Sequence, residues 1–242
     1  MISRPIVSLC LSTETNFENN LTRLILLIVQ SPEDAIIVAP EVCLTGFAYD
    51  CFEEAAAFTP YALDKLWGFV GHRLLIFTAI TKLGEEFHNI AYALSDGKVL
   101  HAQSKAKLFT LGGEVEHFRA GEESKILPFE FEGVKIGILI CFELRFKALW
   151  QQLEGCDIIA IPAQWGKIRT EHFITLTNAL AVMNQCYTIA SDTDNDDTTG
   201  MSGIINPFGH ELRNNGAESL SSTYEKRTVT AMRRYLDVGI HV

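Results

Sequence analysis

Two reactive side chains follow apolar runs that are typical of buried strands. Residues 134–140 are rich in Val, Ile and Leu with one break at Gly137, and Cys141 comes directly after them. Glu41 follows the shorter apolar run of residues 35–39 after one proline. Because open α/β sheets usually bind ligands at the carboxyl ends of their strands, the thiol is a candidate nucleophile and the carboxylate a candidate base. Either residue alone could equally be a core cysteine or a solvated loop carboxylate.

A predicted β-hairpin leads into two lysines. Residues 87–94 and 98–103 are joined through an Asp-Gly pair, which is the strongest short signal for a hairpin turn. Lys105 and Lys107 follow the second strand, and a polar loop over residues 110–124 comes next. A loop of this length inside a compact chain is more often functional than accidental, so we expect it to contribute to a site.

The rest of the chain alternates predicted strands with predicted helices. Further strands are predicted at residues 5–12, 74–81, 157–162, 187–191, 201–206 and 226–232. Helices are predicted from a cap at Thr13 or Thr15 to Ser31, over residues 52–70 with an interruption near Pro60, and over residues 145–153 and 171–185. This order favours an α/β fold in which helices cover one face of each of two sheets. No linker or charge run marks a boundary, so we expect one domain over residues 1–242.

Composition argues against several classes of partner. The chain has 242 residues, a net charge of -10 and no basic run, so nucleic acid is not an expected partner. The six cysteines show no C-x-x-C pair and the seven histidines show no H-E-x-x-H motif, so we expect no metal site. The N-terminus does not resemble a signal peptide, and no apolar run approaches the roughly 20 residues of a membrane span. We therefore expect a cytoplasmic protein with reduced thiols and no membrane partner.

Three motifs in order resemble the nitrilase superfamily of carbon–nitrogen hydrolases. They are Pro40-Glu41 with Thr45-Gly46-Phe47, Lys105 with Leu108-Phe109, and Gly137 with the run from Cys141 to Phe146. Later stretches at residues 157–162, 184–185 and 200–209 also resemble that family, so the likeness covers nearly the whole chain. The resemblance implies a four-layer α-β-β-α sandwich and hydrolysis of a small amide with release of ammonia.

The resemblance also implies a Glu–Lys–Cys site. Cys141 would attack the amide carbonyl to form a thioester, and Glu41 would move the protons. Lys105, which stands three residues before Leu108, would stabilise the oxyanion together with the backbone N–H of Phe142. No metal or organic cofactor is implied, because water and these side chains suffice for the reaction.

A second glutamate is expected to orient the substrate and the lysine in members of this family. Glu116 stands five residues before Gly121 and fits that position better than its rival Glu114. Glu143 differs from the family pattern, which often has Asp two residues after the nucleophile. The catalytic set expected from the resemblance is therefore Glu41, Lys105, Cys141 and Glu116.

Substrate specificity is expected to depend on the loop that follows the predicted strand at residues 157–162. Gln164 and Trp165 should line the pocket wall, and this loop most resembles the branch that acts on ω-amides of dicarboxylic acids, such as amides of 2-oxo diacids. An anionic substrate would need a cation in the pocket. The candidates for that cation are Lys107, Arg145, Lys167 and Arg169. Each of them could instead be a surface charge or a structural ion pair.

Two other functions remain open on the sequence alone. One is hydrolysis of N-carbamoyl or formamide-type substrates, and the other is a catalytically silent binding subunit. The intact Glu41, Lys105 and Cys141 argue against the silent subunit. The resemblance further implies a homodimer, with a higher homo-oligomer as the alternative, in which the helices predicted over residues 145–153 and 171–185 meet across a two-fold axis.

Overall fold

Two six-stranded mixed sheets lie face to face in the computed structural model, which describes residues 2–214 and 216–240. The first sheet contains β1 (Ser3–Leu9), β2 (Ile36–Val38), β3 (Leu74–Leu83), β4 (Glu86–Ser95), β5 (Lys98–Ser104) and β12 (Ser219–Glu225), in the order β12-β1-β2-β3-β4-β5. The second sheet contains β6 (Phe129–Phe131), β7 (Val134–Ile138), β8 (Ile158–Ala163), β9 (Tyr187–Asp192), β10 (Gly203–Ile205) and β11 (Glu211–Arg213), in the order β11-β10-β9-β8-β7-β6.

Helices cover the outer face of each sheet. The helices are α1 (Phe17–Gln30), α2 (Phe52–Val70), α3 (Glu114–His117), α4 (Lys147–Gln152), α5 (Thr170–Met183) and α6 (Lys226–Tyr235). The buried sides of α1 and α2 share a core with the first sheet, whereas α4 and α5 pack on the second. The predicted four-layer α-β-β-α sandwich is therefore confirmed.

Alternation along β2 shows why its sequence is apolar throughout. Ile36 and Val38 point between the sheets, where they share a core with the strands of the second sheet. Ile37 points the other way and joins the core beneath α1 and α2. All three side chains are fully buried, because a strand covered on both faces must be apolar at every position.

The carboxyl ends of parallel strands from the two sheets meet at one place. β1, β2 and β3 run parallel in the first sheet, as do β7, β8 and β9 in the second. Glu41, just beyond β2, donates its backbone N–H to the carbonyl oxygen of Ala163 at the end of β8, at 3.2 Å. Cys141 lies just beyond β7, so the topology brings the two sequence candidates to the same end of the sandwich.

The predicted last strand at residues 226–232 is wrong, because this segment is the helix α6. Its β-branched residues suggested a strand, but the buried Val229 and Met232 stand three residues apart, as on one face of a helix. The strand precedes it: β12 pairs antiparallel with β1 along its whole length, with Leu220 and Tyr224 buried among polar neighbours.

Smaller differences have local causes. Pro60 does not interrupt α2; it lies on the exposed side of the helix, where a lost backbone hydrogen bond costs least. The cap of α1 is Asn16 rather than Thr13 or Thr15, and its Oδ1 accepts the Asn19 N–H at 3.0 Å. The sheet edges β6 and β11, three residues each, were too short to produce a periodic signal. No helix in the described part of the chain has the length and apolar character needed to cross a bilayer.

Candidate active site

A buried lysine lies between two carboxylates at the end of the sandwich. Lys105 Nζ donates to Glu41 Oε1 at 2.7 Å and to Glu114 Oε1 at 2.6 Å. Lys105 and Glu41 are 0% exposed and Glu114 is 2% exposed. Charged groups are almost never buried to this extent unless they are paired, so the three side chains form one mutually dependent unit.

The structure places Glu114, and not Glu116, against the lysine. The segment read as a loop forms a helical turn, α3, in which residues two positions apart face different sides. Glu114 Oε2 also accepts the backbone N–H of Phe109 at 3.0 Å, which fixes the carboxylate, whereas Glu116 is exposed. The sequence-based preference for Glu116 over Glu114 is therefore corrected.

Cys141 occupies a strained turn beside this cluster. It opens a 3-10 turn over Cys141–Arg145, which delays the start of α4 to Lys147. Its φ of 45° lies in the left-handed region, which is costly for a residue with a Cβ atom. Such strain tends to occur at functional sites and persists only where the surroundings enforce it.

The backbone of one residue, Gln164, contacts both the thiol and the carboxylate. The carbonyl oxygen of Gln164 accepts from Cys141 Sγ at 3.8 Å, while the backbone N–H of Gln164 donates to Glu41 Oε2 at 3.2 Å. Asn89 Nδ2 donates to the other oxygen, Glu41 Oε1, at 2.8 Å. These contacts fix both oxygens of Glu41.

Burial and charge set the protonation of the cluster. Burial alone would lower the pKa of Lys105, but the carboxylates of Glu41 and Glu114 raise it above its ordinary value, so the ammonium persists. Burial raises the pKa of the Cys141 thiol well above its ordinary value, the Glu41 charge raises it further, and Lys105 opposes the rise. The thiol is thus neutral at rest, and it would have to give up its proton to act as a nucleophile.

A cavity of about 320 Å³ opens onto Cys141. Its lining includes four of the predicted substrate-contact residues, Phe142, Arg145, Gln164 and Trp165. Lys107 is not among its lining residues: it pairs with Glu123 and lies over the ring of Phe146. The prediction that Lys107 contacts substrate is therefore not supported by its position.

Two arginines face the cavity without a carboxylate partner among the described residues. The guanidinium of Arg145 lies 4.9 Å from the Trp165 ring centroid, and its Nη2 is 3.0 Å from His172 Nδ1. The guanidinium of Arg169 lies 5.0 Å from the ring centroid of Phe109. Burial, followed by the Arg169 charge, lowers the pKa of Arg145. An anion bound here would therefore offset the repulsion between the two guanidinium groups.

Sequence reasoning missed two polar residues that support the site. Asn89 lies within β4 and holds Glu41, and a polar residue inside an otherwise buried strand was the available signal. Asp192 is the last residue of β9, and its Oδ1 accepts the Trp165 N–H at 2.7 Å. Its position at a strand end, like those of Glu41 and Cys141 beyond theirs, was the available signal. Burial raises the pKa of Asp192 to about 7.

Within the described residues, no three His, Cys, Asp or Glu side chains gather as metal ligands would.

Comparison with known proteins identifies the family of the chain. The family model described as carbon–nitrogen hydrolase matches residues 8–226. The deaminated glutathione amidase of Escherichia coli O157:H7 is 35% identical over 126 residues, which are 50% of this chain and only 48% of that protein. The 2-oxoglutaramate amidase of Bacillus subtilis is 29% identical over 201 residues, covering 78% of this chain and 76% of that protein.

A solved structure shares the whole fold. The crystal structure of Nit3 from Saccharomyces cerevisiae, a member of branch 10 of the nitrilase superfamily, matches with a TM-score of 0.86 at 18% identity. The match covers 98% of this chain and 95% of that one, and at this identity it shows the fold alone. Because the family model spans most of its length, the chain belongs to the carbon–nitrogen hydrolase family.

Proposed function

We propose that Glu41, Lys105 and Cys141 hydrolyse the C–N bond of a small amide through a thioester. The observation that carries the proposal is the buried ammonium held by two carboxylates next to a thiol that opens onto a cavity. Glu41 bonds directly to the ammonium, and the backbone of Gln164 contacts both Glu41 and the thiol. This arrangement supports a base, a nucleophile and a cation acting together on one carbonyl carbon.

In the acylation step, Cys141 Sγ bonds to the amide carbonyl carbon as its proton passes to Glu41. The carbonyl oxygen becomes an oxyanion, which accepts from Lys105 Nζ and the backbone N–H of Phe142. Collapse of this intermediate breaks the C–N bond, and Glu41 returns the proton to the nitrogen, which leaves as ammonia. The product at this stage is a thioester on Cys141.

In the deacylation step, a water molecule takes the place of ammonia. Glu41 accepts a proton from the water as its oxygen bonds to the thioester carbon, and Lys105 again stabilises the oxyanion. The C–S bond then breaks, the proton returns to sulfur, and a carboxylic acid is released. We propose that Glu114 keeps Lys105 oriented through both steps, because it is held by its own bond to Phe109.

The substrate we propose is the ω-amide of a dicarboxylic acid, including 2-oxo diacids. Arg145 and Arg169 supply the cations that the distal carboxylate would need, and neither forms an ion pair within the described residues, although Asp197 also lines the cavity. The 2-oxoglutaramate amidase and ω-amidase names of several relatives support this class. Lys167 is exposed and its Nζ faces the Asp196 carbonyl oxygen, so it is a poor candidate.

Ammonia release from a panel of amides tests this proposal, with Arg169→Gln and the neighbouring Lys167→Gln as matched variants. We expect the wild type to prefer ω-amides of diacids over N-carbamoyl amino acids, formamide and neutral aliphatic amides. R169Q should raise KM about 10–100-fold for the anionic amides, because a hydrogen bond to a charged group contributes about 1.5–3 kcal/mol. Its effect on neutral amides should be small, and K167Q should resemble the wild type.

The panel separates this proposal from its alternatives. A preference for N-carbamoyl or formamide substrates would replace the substrate class while leaving the site chemistry intact. Ammonia release from no amide, by a folded protein, would favour a binding subunit instead. Equal KM values for R169Q and the wild type on ω-amides would contradict the role assigned to Arg169.

We further propose that the chain acts as a cytoplasmic homodimer in which α4 and α5 meet their counterparts across a two-fold axis. The C-terminal part of α5 exposes Val182 and Met183, apolar side chains that a partner could cover. Light scattering at micromolar concentration should return twice the monomer mass of 27.0 kDa. The monomer mass in that measurement would contradict the proposal.

A further inference from the structure

We propose that Glu143 is a positioning residue that fixes the nucleophile turn relative to the strand end carrying Lys105. The inference rests on the function proposed above, because it concerns how two of its catalytic groups are held together. Glu143 does not line the cavity proposed to hold the substrate. It acts through the backbone next to those groups.

The carboxylate of Glu143 bridges two segments of backbone. Its Oε2 accepts the N–H of Ile140 at 2.7 Å, and its Oε1 accepts the N–H of Ala106 at 2.6 Å. Ile140 immediately precedes Cys141, and Ala106 immediately follows Lys105. Glu143 is 0% exposed, so no water can replace either bond.

This bridge explains how the turn at Cys141 is maintained. A residue with positive φ and a Cβ atom relaxes to another conformation unless neighbouring bonds hold it. The backbone N–H of Glu143 donates to the Ile140 carbonyl oxygen at 3.0 Å, while its side chain accepts the Ile140 N–H. Both backbone groups of Ile140 are therefore bonded to Glu143, which closes the turn around the thiol.

The chemistry requires this alignment because the oxyanion donors come from both segments. Lys105 Nζ belongs to one segment and the Phe142 N–H to the other, so a shift between the segments separates the two donors. Both partners of Glu143 are N–H donors, so only a group with two acceptor oxygens can satisfy them. Burial raises the pKa of Glu143 to about 7, so the acceptor-only carboxylate predominates at alkaline pH.

Comparison of Glu143→Gln with Glu143→Asp at pH 8.5 tests the inference. Glutamine matches glutamate in size but offers one acceptor and one donor, whereas aspartate keeps two acceptors on a shorter side chain. We expect E143Q to lower kcat by about 10²-fold, the effect of misplacing catalytic groups by about 1 Å, with KM changed less than about threefold. E143D should retain more activity than E143Q, although packing alone would favour glutamine.

Asp157→Asn is the matched control. Asp157 is a buried carboxylate that accepts the Lys135 N–H at 2.9 Å and pairs with Lys226, and it is absent from the cavity lining. D157N should lower the melting temperature without changing kcat. Wild-type kcat in E143Q, or more activity in E143Q than in E143D, would overturn the inference. If E143Q does not fold, Glu143→Met, which is similar in length and has no acceptor oxygen, takes its place, and a wild-type kcat in that variant would overturn the inference as well.

The role of Glu143 can still be tested if the proposed hydrolase function is wrong. If the wild type released ammonia from no amide, the rate at which iodoacetamide alkylates Cys141 would replace kcat as the readout. We then expect that rate to differ from the wild type more in E143Q than in E143D, and to be unchanged in D157N. Equal alkylation rates in all four proteins would overturn the role of Glu143 separately from the hydrolase proposal.

Discussion

Cys141→Ala is expected to lower the rate of ammonia release by about 10⁴-fold or more, because removal of the nucleophile of a covalent mechanism leaves only the binding and oxyanion groups. Without the thiol, no thioester can form, and water would have to attack an unactivated amide directly. The fold should be little changed, since the substitution removes one atom that lines the cavity. The measurement is kcat for ammonia release, with the melting temperature recorded in parallel.

Cys156→Ala is the control for this variant. Cys156 is also a buried cysteine, but it precedes β8 at the end opposite Gln164 and does not line the cavity. C156A should lose about 1 kcal/mol of stability and keep its activity. Ammonia release by C141A within tenfold of the wild type would exclude Cys141 as the nucleophile.

Lys105→Met should lower kcat by about 10²–10³-fold through loss of an oxyanion donor and should also destabilise the fold. Breaking a buried ion pair from one side costs about 3–5 kcal/mol, because the remaining charges are buried without a partner. In this variant Glu41 and Glu114 would face one another unpaired, and both are almost fully inaccessible to water. Denaturant unfolding measures the loss of stability, and ammonia release measures the loss of activity.

The stability of K105M should depend on pH in a defined direction. Burial already raises the pKa of Glu114 in the wild type, and removal of the lysine takes away the charge that opposes this rise. A carboxyl whose folded pKa exceeds its unfolded value favours folding more as the pH falls through the folded pKa. The loss of unfolding free energy in K105M relative to the wild type should therefore be smaller at about pH 5 than at about pH 8. Both pH values lie above the unfolded carboxyl pKa of about 4.

Second-site variants identify which carboxylate causes the loss of stability in K105M. K105M/E114Q removes one of the two unpaired charges and should recover part of the lost stability without recovering activity. K105M/E116Q alters an exposed glutamate and should stay within about 0.5 kcal/mol of K105M. Recovery by E116Q but not by E114Q, or a K105M variant as stable and active as the wild type, would contradict the arrangement described here.

Glu41 and Cys141, which follow buried strands, could be predicted from the sequence. The apolar runs before Glu41 and Cys141 could form only strands covered on both faces, and the topology of parallel strands then places their carboxyl ends together. Lys105 was predicted by its place after a hairpin with a clear turn signal and by its resemblance to a family motif. These signals are local in the sequence.

The choice between Glu114 and Glu116 depended on information that the sequence does not display. A polar segment rich in glycine gives no periodicity, so the helical turn α3 and the side on which Glu114 lies could not be read from it. The same limit applies to α6, where β-branched residues favour a strand and only packing against the neighbouring core makes a helix more stable. The bond from Asn89 to Glu41 joins residues 48 positions apart, and no local pattern encodes it.

Detection of the acyl-enzyme tests the central claim most directly. The enzyme is quenched with acid during turnover of a ω-amide, and its intact mass and digested peptides are measured, with hydroxylamine added in a parallel reaction. We predict a mass increase equal to the substrate minus ammonia on the peptide that carries Cys141. We also predict that part of the product is diverted to the hydroxamate, because a thioester reacts with hydroxylamine as well as with water. Ammonia release with an adduct on another residue, or with no adduct and no hydroxamate, would contradict the thioester mechanism.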